Sequence, residues 1–261
     1  MKYRLEKIDF RPTAGALIVS LVFSCGIFVT SQLAADQLAE PEAVDTTTVL
    51  RRLTESEYRA TVADVFSPDI PIVGRFEKGL RSDGLLAVGT SEAGLSPFSI
   101  EQYDASARGI ATAVVSEEYR DTLIPCKPES ADAFDKNCAR TVVEHYGQLL
   151  FRRPLTSAES EQFVMIAHAG QQRLSDFYNG LEFALTGLLV SPDFLLRVDH
   201  FEPDPENPGR ERLDAYAMAT RLSYFLTGST PDQELLRAAG AGELRTTNGL
   251  ETQVNRLMES Q

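Results

Sequence analysis

What most constrains this chain is a succession of apolar stripes at helical spacing, opened by capping signals and closed by proline or glycine. No run of alternating β-branched residues competes with them, so the expected class is all-α. Thr54 and Glu57 make a capping box, in which each side chain accepts from the other residue's backbone N–H. Tyr58, Val62, Val65 and Phe66 then share one face until Ser67-Pro68 stops the helix. A second helix is expected from Ser99, with Gln102 completing its box and Ile100, Tyr103, Ala107, Ile110, Ala111 and Val114 as the stripe. A third covers about 135–151, with Cys138, Val142, Tyr146, Leu149 and Leu150 inward, and Arg152-Arg153-Pro154 breaks it. Thr156 with Glu159 opens a fourth through Phe163, Ile166 and Ala167. Phe177, Leu181, Ala184, Leu185, Leu188 and Leu189 stripe a fifth, and Ser191-Pro192 starts a short sixth. Later helices are expected over 213–226, from Asp232-Gln233, and from Asn248 with Glu251.

Between these stripes lie two breaks. Residues 70–98 carry glycines at 74, 79, 84, 89 and 94, too closely spaced for a long helix, and are expected to be irregular. Residues 201–211 hold Pro203, Pro205, Pro208 and Gly209, which predicts a linker between a helical domain at 49–200 and a second at 212–261. The fold expected is a multi-helix, bundle-like region with one long glycine-rich loop.

The amino terminus sets the compartment. Lys2, Arg4, Lys7 and Arg11 precede a run from Ala14 to Leu33 without a charge, long enough at about 20 residues to span a bilayer as a signal or an anchor. Gln32 and Leu33 spoil a signal-peptidase site, which favours a retained anchor over 1–35. A lipoprotein reading at Cys25 is opposed by Phe23 and by the apolar stretch beyond it. Residues 36–48, acidic and polar, read as a spacer. The chain is then exported, inner-membrane anchored or secreted, and faces the periplasm.

Export makes a disulfide chemically available, and Cys126 and Cys138 are the candidates. Cys25 lies inside the apolar run. Pro125, Pro128 and the polar residues up to Asn137 read as a loop returning Cys126 to the first turn of the third helix. Two buried free thiols, or a metal site, are the competing readings.

Composition excludes some functions. With 38 acidic against 25 basic residues the net charge is −13, which repels a phosphate backbone, so nucleic acid is not an expected partner. His145, His168 and His200 are far apart, no metal site is expected, and in so acidic a chain carboxylate pairs such as Glu117-Glu118 or Glu159/Glu161 are solvated faces. Gly74 to Gly79 has the glycine spacing of a phosphate loop but continues Leu80-Arg81, and Gly89 to Gly94 is one residue too long for a nucleophile elbow. No catalytic residue is assigned. Arginine outnumbers lysine 20 to 5, and Arg152-Arg153 sits between two helices. Planar guanidinium forks there suit either an acidic ligand or fixed acidic and carbonyl partners of neighbouring helices.

Three stretches together carry a resemblance. They are Arg51-Arg52-Leu53-Thr54-Glu55-Ser56-Glu57-Tyr58; Phe151-Arg152-Arg153-Pro154-Leu155-Thr156 with Leu188-Leu189-Val190-Ser191-Pro192-Asp193-Phe194-Leu195; and Leu213-Asp214-Ala215-Tyr216 through Arg221-Leu222-Ser223-Tyr224-Phe225-Leu226 to Pro231-Asp232. Over about 49–258 the chain resembles the planctomycete-specific-domain proteins, exported multidomain proteins of unknown function associated with cytochrome c. The resemblance implies a further segment with a Cys-x-x-Cys-His haem motif. None of Cys25, Cys126 or Cys138 is in such a motif, so the chain resembles an amino-terminal half, and no cofactor is assigned within it. The function expected is a membrane-tethered extracytoplasmic scaffold or partner-binding module. Its partner would be a c-type cytochrome or a neighbouring extracytoplasmic protein. The alternative is a fragment of a haem-dependent oxidoreductase whose haem-binding segment lies elsewhere.

Overall fold

The computed structural model describes residues 50–76 and 95–259. In chain order these form strand β1 (Leu50–Arg52), then helices α1 (Glu55–Val65) and α2 (Pro97–Val115), the single turn α3 (Arg120–Leu123), and α4 (Lys136–Phe151), α5 (Ser157–Leu174) and α6 (Phe177–Val190). The single turn α7 (Pro192–Leu195) leads into strands β2 (Leu196–Val198), β3 (Phe201–Pro203) and β4 (Glu211–Leu213). After them come α8 (Ala215–Leu226), α9 (Gln233–Gly240), a 3-10 turn at Glu243–Arg245, and α10 (Thr247–Glu259). All belong to one compact unit, Thr46–Gln261. The expected signal or anchor (1–35) and spacer (36–48) lie outside the described residues, as do 77–94 of the irregular loop. Among the described residues no helix is long and apolar enough to cross a membrane.

Local signals explain where the helices begin. Thr54 Oγ1 accepts from Glu57 N at 3.2 Å and Glu57 Oε2 from Thr54 N at 2.8 Å, which completes the box at α1. Thr156 and Glu159 do the same at α5, and the Asp135 carboxylate accepts from Cys138 N at α4. Helix α2 starts two residues earlier than expected. Pro97 in its first turn presets the backbone, Ser96 caps it against Ser99, and Gln102 instead accepts from Arg75 N at 2.9 Å. The last helix likewise begins one residue early, capped by Thr246, whose hydroxyl accepts from Gly249 N.

Helix α6 is the centre of the core: Phe177, Leu181, Ala184, Leu185, Leu188 and Leu189 are all fully buried, enclosed by α2, α4 and α5. Its approach to α5 is close enough that a Cβ on Gly180 would stand 2.5 Å from the Ala167 carbonyl. Tyr58 joins this core in a ring cluster with Phe76, Tyr103 and Phe194 at centroid separations of 5.0, 5.6 and 5.4 Å. Burial pushes the Tyr58 hydroxyl pKa up, and it has no hydrogen-bond partner among the described residues. A smaller cluster of Ala219, Leu235, Ala238, Ala239, Leu244 and Leu257 holds α8, α9 and α10 together. Tyr224 and Leu236 tie that cluster's helices to the main core, and Thr230 Oγ1 donates to the Leu149 carbonyl at 2.9 Å.

The all-α expectation needs one correction: the protein is mostly helical but contains two small antiparallel strand pairs. β1 lies on β2, with Leu50, Arg51 and Arg52 opposite Val198, Arg197 and Leu196. β3 lies on β4, with Phe201 opposite Leu213 and Pro203 opposite Glu211. The second pair replaces the open linker expected at 201–211. Pro203 terminates its strand, where the missing N–H is tolerated. Beyond it the turn is built by Asp204, whose carboxylate accepts from Glu206 N and Asn207 Nδ2, with Gly209 at φ +89°. Leu213 is accordingly the end of a strand rather than the start of a helix, and Asp214 caps α8.

Candidate functional site

Arg152 ends α4 in the left-handed region, φ 61°, and is almost fully buried. Its guanidinium donates to the carbonyls of Phe194 (3.1 Å), Leu196 (2.9 Å) and Asp193, clamping the turn from α7 into β2. Arg153 forks onto Glu159 at 3.0 and 2.8 Å and reaches Asp193 at 3.0 Å. That fork holds the Glu159 carboxyl down at about 2. The two arginines are thus consumed by fixed partners, and the space beside them is about 40 Å³, too small for an organic anion.

The clamp aims β2 at a different place. Arg197 of β2 and Arg51 of β1 are direct partners in the ladder, so their side chains project from the same face. That face is the floor of an open groove of about 610 Å³, walled by Met218, Arg221, Leu222, Tyr224 and Phe225 of α8, with Leu250 of α10 and Glu57 of α1. Arg197 pairs with Glu57 Oε1 at 3.2 Å, each side chain 12% exposed, and stacks under the Tyr224 ring at 4.6 Å. Tyr224 Oη is held in turn by Thr61 Oγ1 at 3.0 Å. Arg221 is committed to Asp199 at 2.6 Å. Arg51 has no carboxylate partner among the described residues, and the buried Nε atoms of both Arg51 and Arg197 lack an acceptor. At the rim Phe225 is 85% exposed, the most exposed large apolar side chain among the described residues.

The histidines are not brought together. His145 borders a second cavity, of about 850 Å³, where it meets Gln233 at 3.3 Å and burial lowers its pKa. That cavity is acidic, but Asp232 is paired with Arg256 and Glu234 with Arg237. His168 stacks on Phe134, and among the described residues no group of three or more His, Cys, Asp or Glu is placed to hold a metal. Cys126 and Cys138 form a disulfide, S–S 2.06 Å, pinning the loop before α4 to that helix's first turn. Of the phosphate-loop and nucleophile-elbow stretches, only Gly74 to Phe76 lies within the described residues.

Comparison with known families follows this architecture. Three family models match in succession: PSD3, a protein of unknown function (DUF1587), over 51–116; PSD5, a protein of unknown function (DUF1595), over 138–199; and PSD4, a protein of unknown function (DUF1592), over 213–261. The chain belongs to the planctomycete-specific-domain proteins. No curated protein and no solved structure matches it. In this planctomycete-specific-domain chain the groove is where the matched segments meet. Arg51 and Glu57 come from the PSD3 segment and Arg197 from PSD5, while Met218, Arg221, Leu222, Phe225 and Leu250 come from PSD4. Sequence inspection missed this constellation because its parts are scattered. One signal was legible: Met218, Leu222 and Phe225 recur at i, i+4 and i+7 on α8, a second apolar stripe besides the one through Ala217 and Tyr224.

Proposed function

We propose that this chain is an extracytoplasmic partner-binding module of a cytochrome-c-associated system, exported behind its basic and then apolar amino-terminal segment, and that the groove between β1, β2 and α8 is its contact surface. It works by binding rather than by turnover, and haem, where the system carries it, sits on another segment or chain. The observation that carries the proposal is the groove itself: an exposed aromatic rim beside the Arg51 guanidinium, which has no carboxylate partner among the described residues. A guanidinium lining a groove without a carboxylate partner is a ready charge-assisted donor for an acidic group on a ligand. The disulfide supports the compartment, since such bonds persist under oxidising conditions. The family's association with cytochrome-c proteins supports the partner.

The test is a photo-reactive side chain placed at position 225 of the exported full chain, with position 165 as control because Met165 is exposed, at 63%, but lies outside the groove. Position 225 should trap a discrete extracytoplasmic protein whose band carries covalent haem, and position 165 should not. Equal trapping at both positions, or a partner without haem, overturns the proposal.

A further inference from the structure

We infer that the groove reads a carboxylate side chain flanked by apolar residues on an extended segment of the partner, and that Arg51 is the residue that binds it; this deepens the partner-binding proposal and rests on it. Arg51 and Arg197 stand directly opposite on paired strands, an arrangement that destabilises a sheet when the charges are alike. A guanidinium does not shed its proton to relieve the conflict. Among the described residues the carboxylate lining the groove is Glu57, and it is already divided: Oε1 faces Arg197 and Oε2 accepts from Thr54 N. Among the described residues one fixed positive charge of the groove is therefore left over, on Arg51.

The surroundings select among anions. The Arg51 fork can grip either a carboxylate or a phosphate bidentately, but one uncompensated guanidinium balances a monoanion, whereas a dianion would bring a surplus negative charge beside Glu57. Met218, Leu222, Phe225 and Leu250 offer the groove's apolar contact, so the carboxylate must come with apolar neighbours. Arg197, locked between Glu57 and Tyr224, keeps the floor rigid so that little order is lost on binding. The groove is open along its length and its rim aromatic stands in solvent, which suits a peptide strand laid across it rather than an enclosed small molecule.

The probe is a fluorescent, end-blocked peptide Gly-Phe-Asp-Phe-Gly, with its Asn and phosphoserine counterparts, titrated by anisotropy against the disulfide-intact full chain. The Asp peptide should bind about tenfold more tightly than the Asn peptide, the difference one charge-assisted fork supplies. Arg51→Gln should remove that preference while leaving the Asn peptide unchanged, and Phe225→Ala should weaken both peptides alike. Because Arg51→Gln also relieves like-charge opposition, its Tm should equal or exceed that of the wild type. A lower Tm makes Arg51 structural and overturns the inference. So does tighter binding of the phosphoserine peptide, or a self-association that Arg51→Gln abolishes, which makes a second copy the occupant. If the peptides do not discriminate but position 225 still traps its haem-bearing partner, the carboxylate inference fails and the partner-binding proposal stands.

Discussion

Replacing Arg152 by Met keeps most of the buried stem and deletes only the guanidinium. Three carbonyls, of Asp193, Phe194 and Leu196, then lose a charged donor in a site that is 4% exposed. A hydrogen bond to a charged group contributes about 1.5–3 kcal/mol net, and water entering from the small neighbouring cavity restores part of it, so the expected loss is about 3–5 kcal/mol. For a folded unit of this size that lowers Tm by roughly 10 °C. The backbone supplies an internal control. At φ 61° a side chain is disfavoured by about 1–2 kcal/mol, so Arg152→Gly should be more stable than Arg152→Ala, although both lose the same bonds. Denaturant and thermal melts with the disulfide intact give both comparisons. Hydrogen exchange adds a local one, because Leu53 N donates to the Leu195 carbonyl across the clamped turn and its protection should collapse before that of α6. A Met variant within about 1 kcal/mol of the wild type, or an Ala variant as stable as Gly, would refute the assignment of Arg152 as the clamp.

Three further outcomes are expected. Replacing both Cys126 and Cys138 by Ser should cost about 3 kcal/mol on the chain-entropy model for a separation of 12 residues, and full alkylation of both thiols in exported, unreduced protein would show that the bond does not form there. Stability should fall with acid: Glu159 is held at about 2 by Arg153, below its ordinary 4.5, so its contribution is full above pH 4.5 and is lost as pH drops toward 2. Glu159→Gln should flatten that limb of the Tm profile, and an unchanged limb rejects the pairing. His145 acts in the same direction at higher pH, because burial lowers its pKa and protonation below pH 6.5 favours the unfolded chain; melts of His145→Gln should lack that part of the decline. Trypsin should nick the exposed turn at Arg210, yet the fragments should co-elute under native conditions, since Tyr224 and Leu236 anchor the carboxyl-terminal helices in the main core; separation of the fragments would restore the linker expected at 201–211.

The helices were legible because each signal is local. A Thr or Asp cap, a stripe three or four residues apart and a proline or glycine stop all fall within about 20 residues, and the expected boundaries of α1, α4 and α6 and the expected start of α5 match to within a residue or so, while α5 runs on past Ala167 to Leu174. The strands were not legible: at three residues each, β1 to β4 are too short to show a period of two, and Pro203 argued against pairing until its place at the strand end was known. The disulfide was reached by compartment and elimination rather than by pattern. The groove illustrates a different limit. An arginine-to-lysine ratio of 20 to 5 announces fixed guanidinium geometry, but adjacency in sequence drew attention to Arg152-Arg153, where every fork is already matched. The groove fork without a carboxylate partner among the described residues belongs to Arg51, brought beside Arg197 only by antiparallel pairing, and that pairing follows the turn Arg152 clamps. Arginines that close on carbonyls and carboxylates hold this fold together. Arg51, without a carboxylate partner among the described residues, meets the like charge of Arg197 across the ladder, and a ligand carboxylate is the partner that would offset that cost.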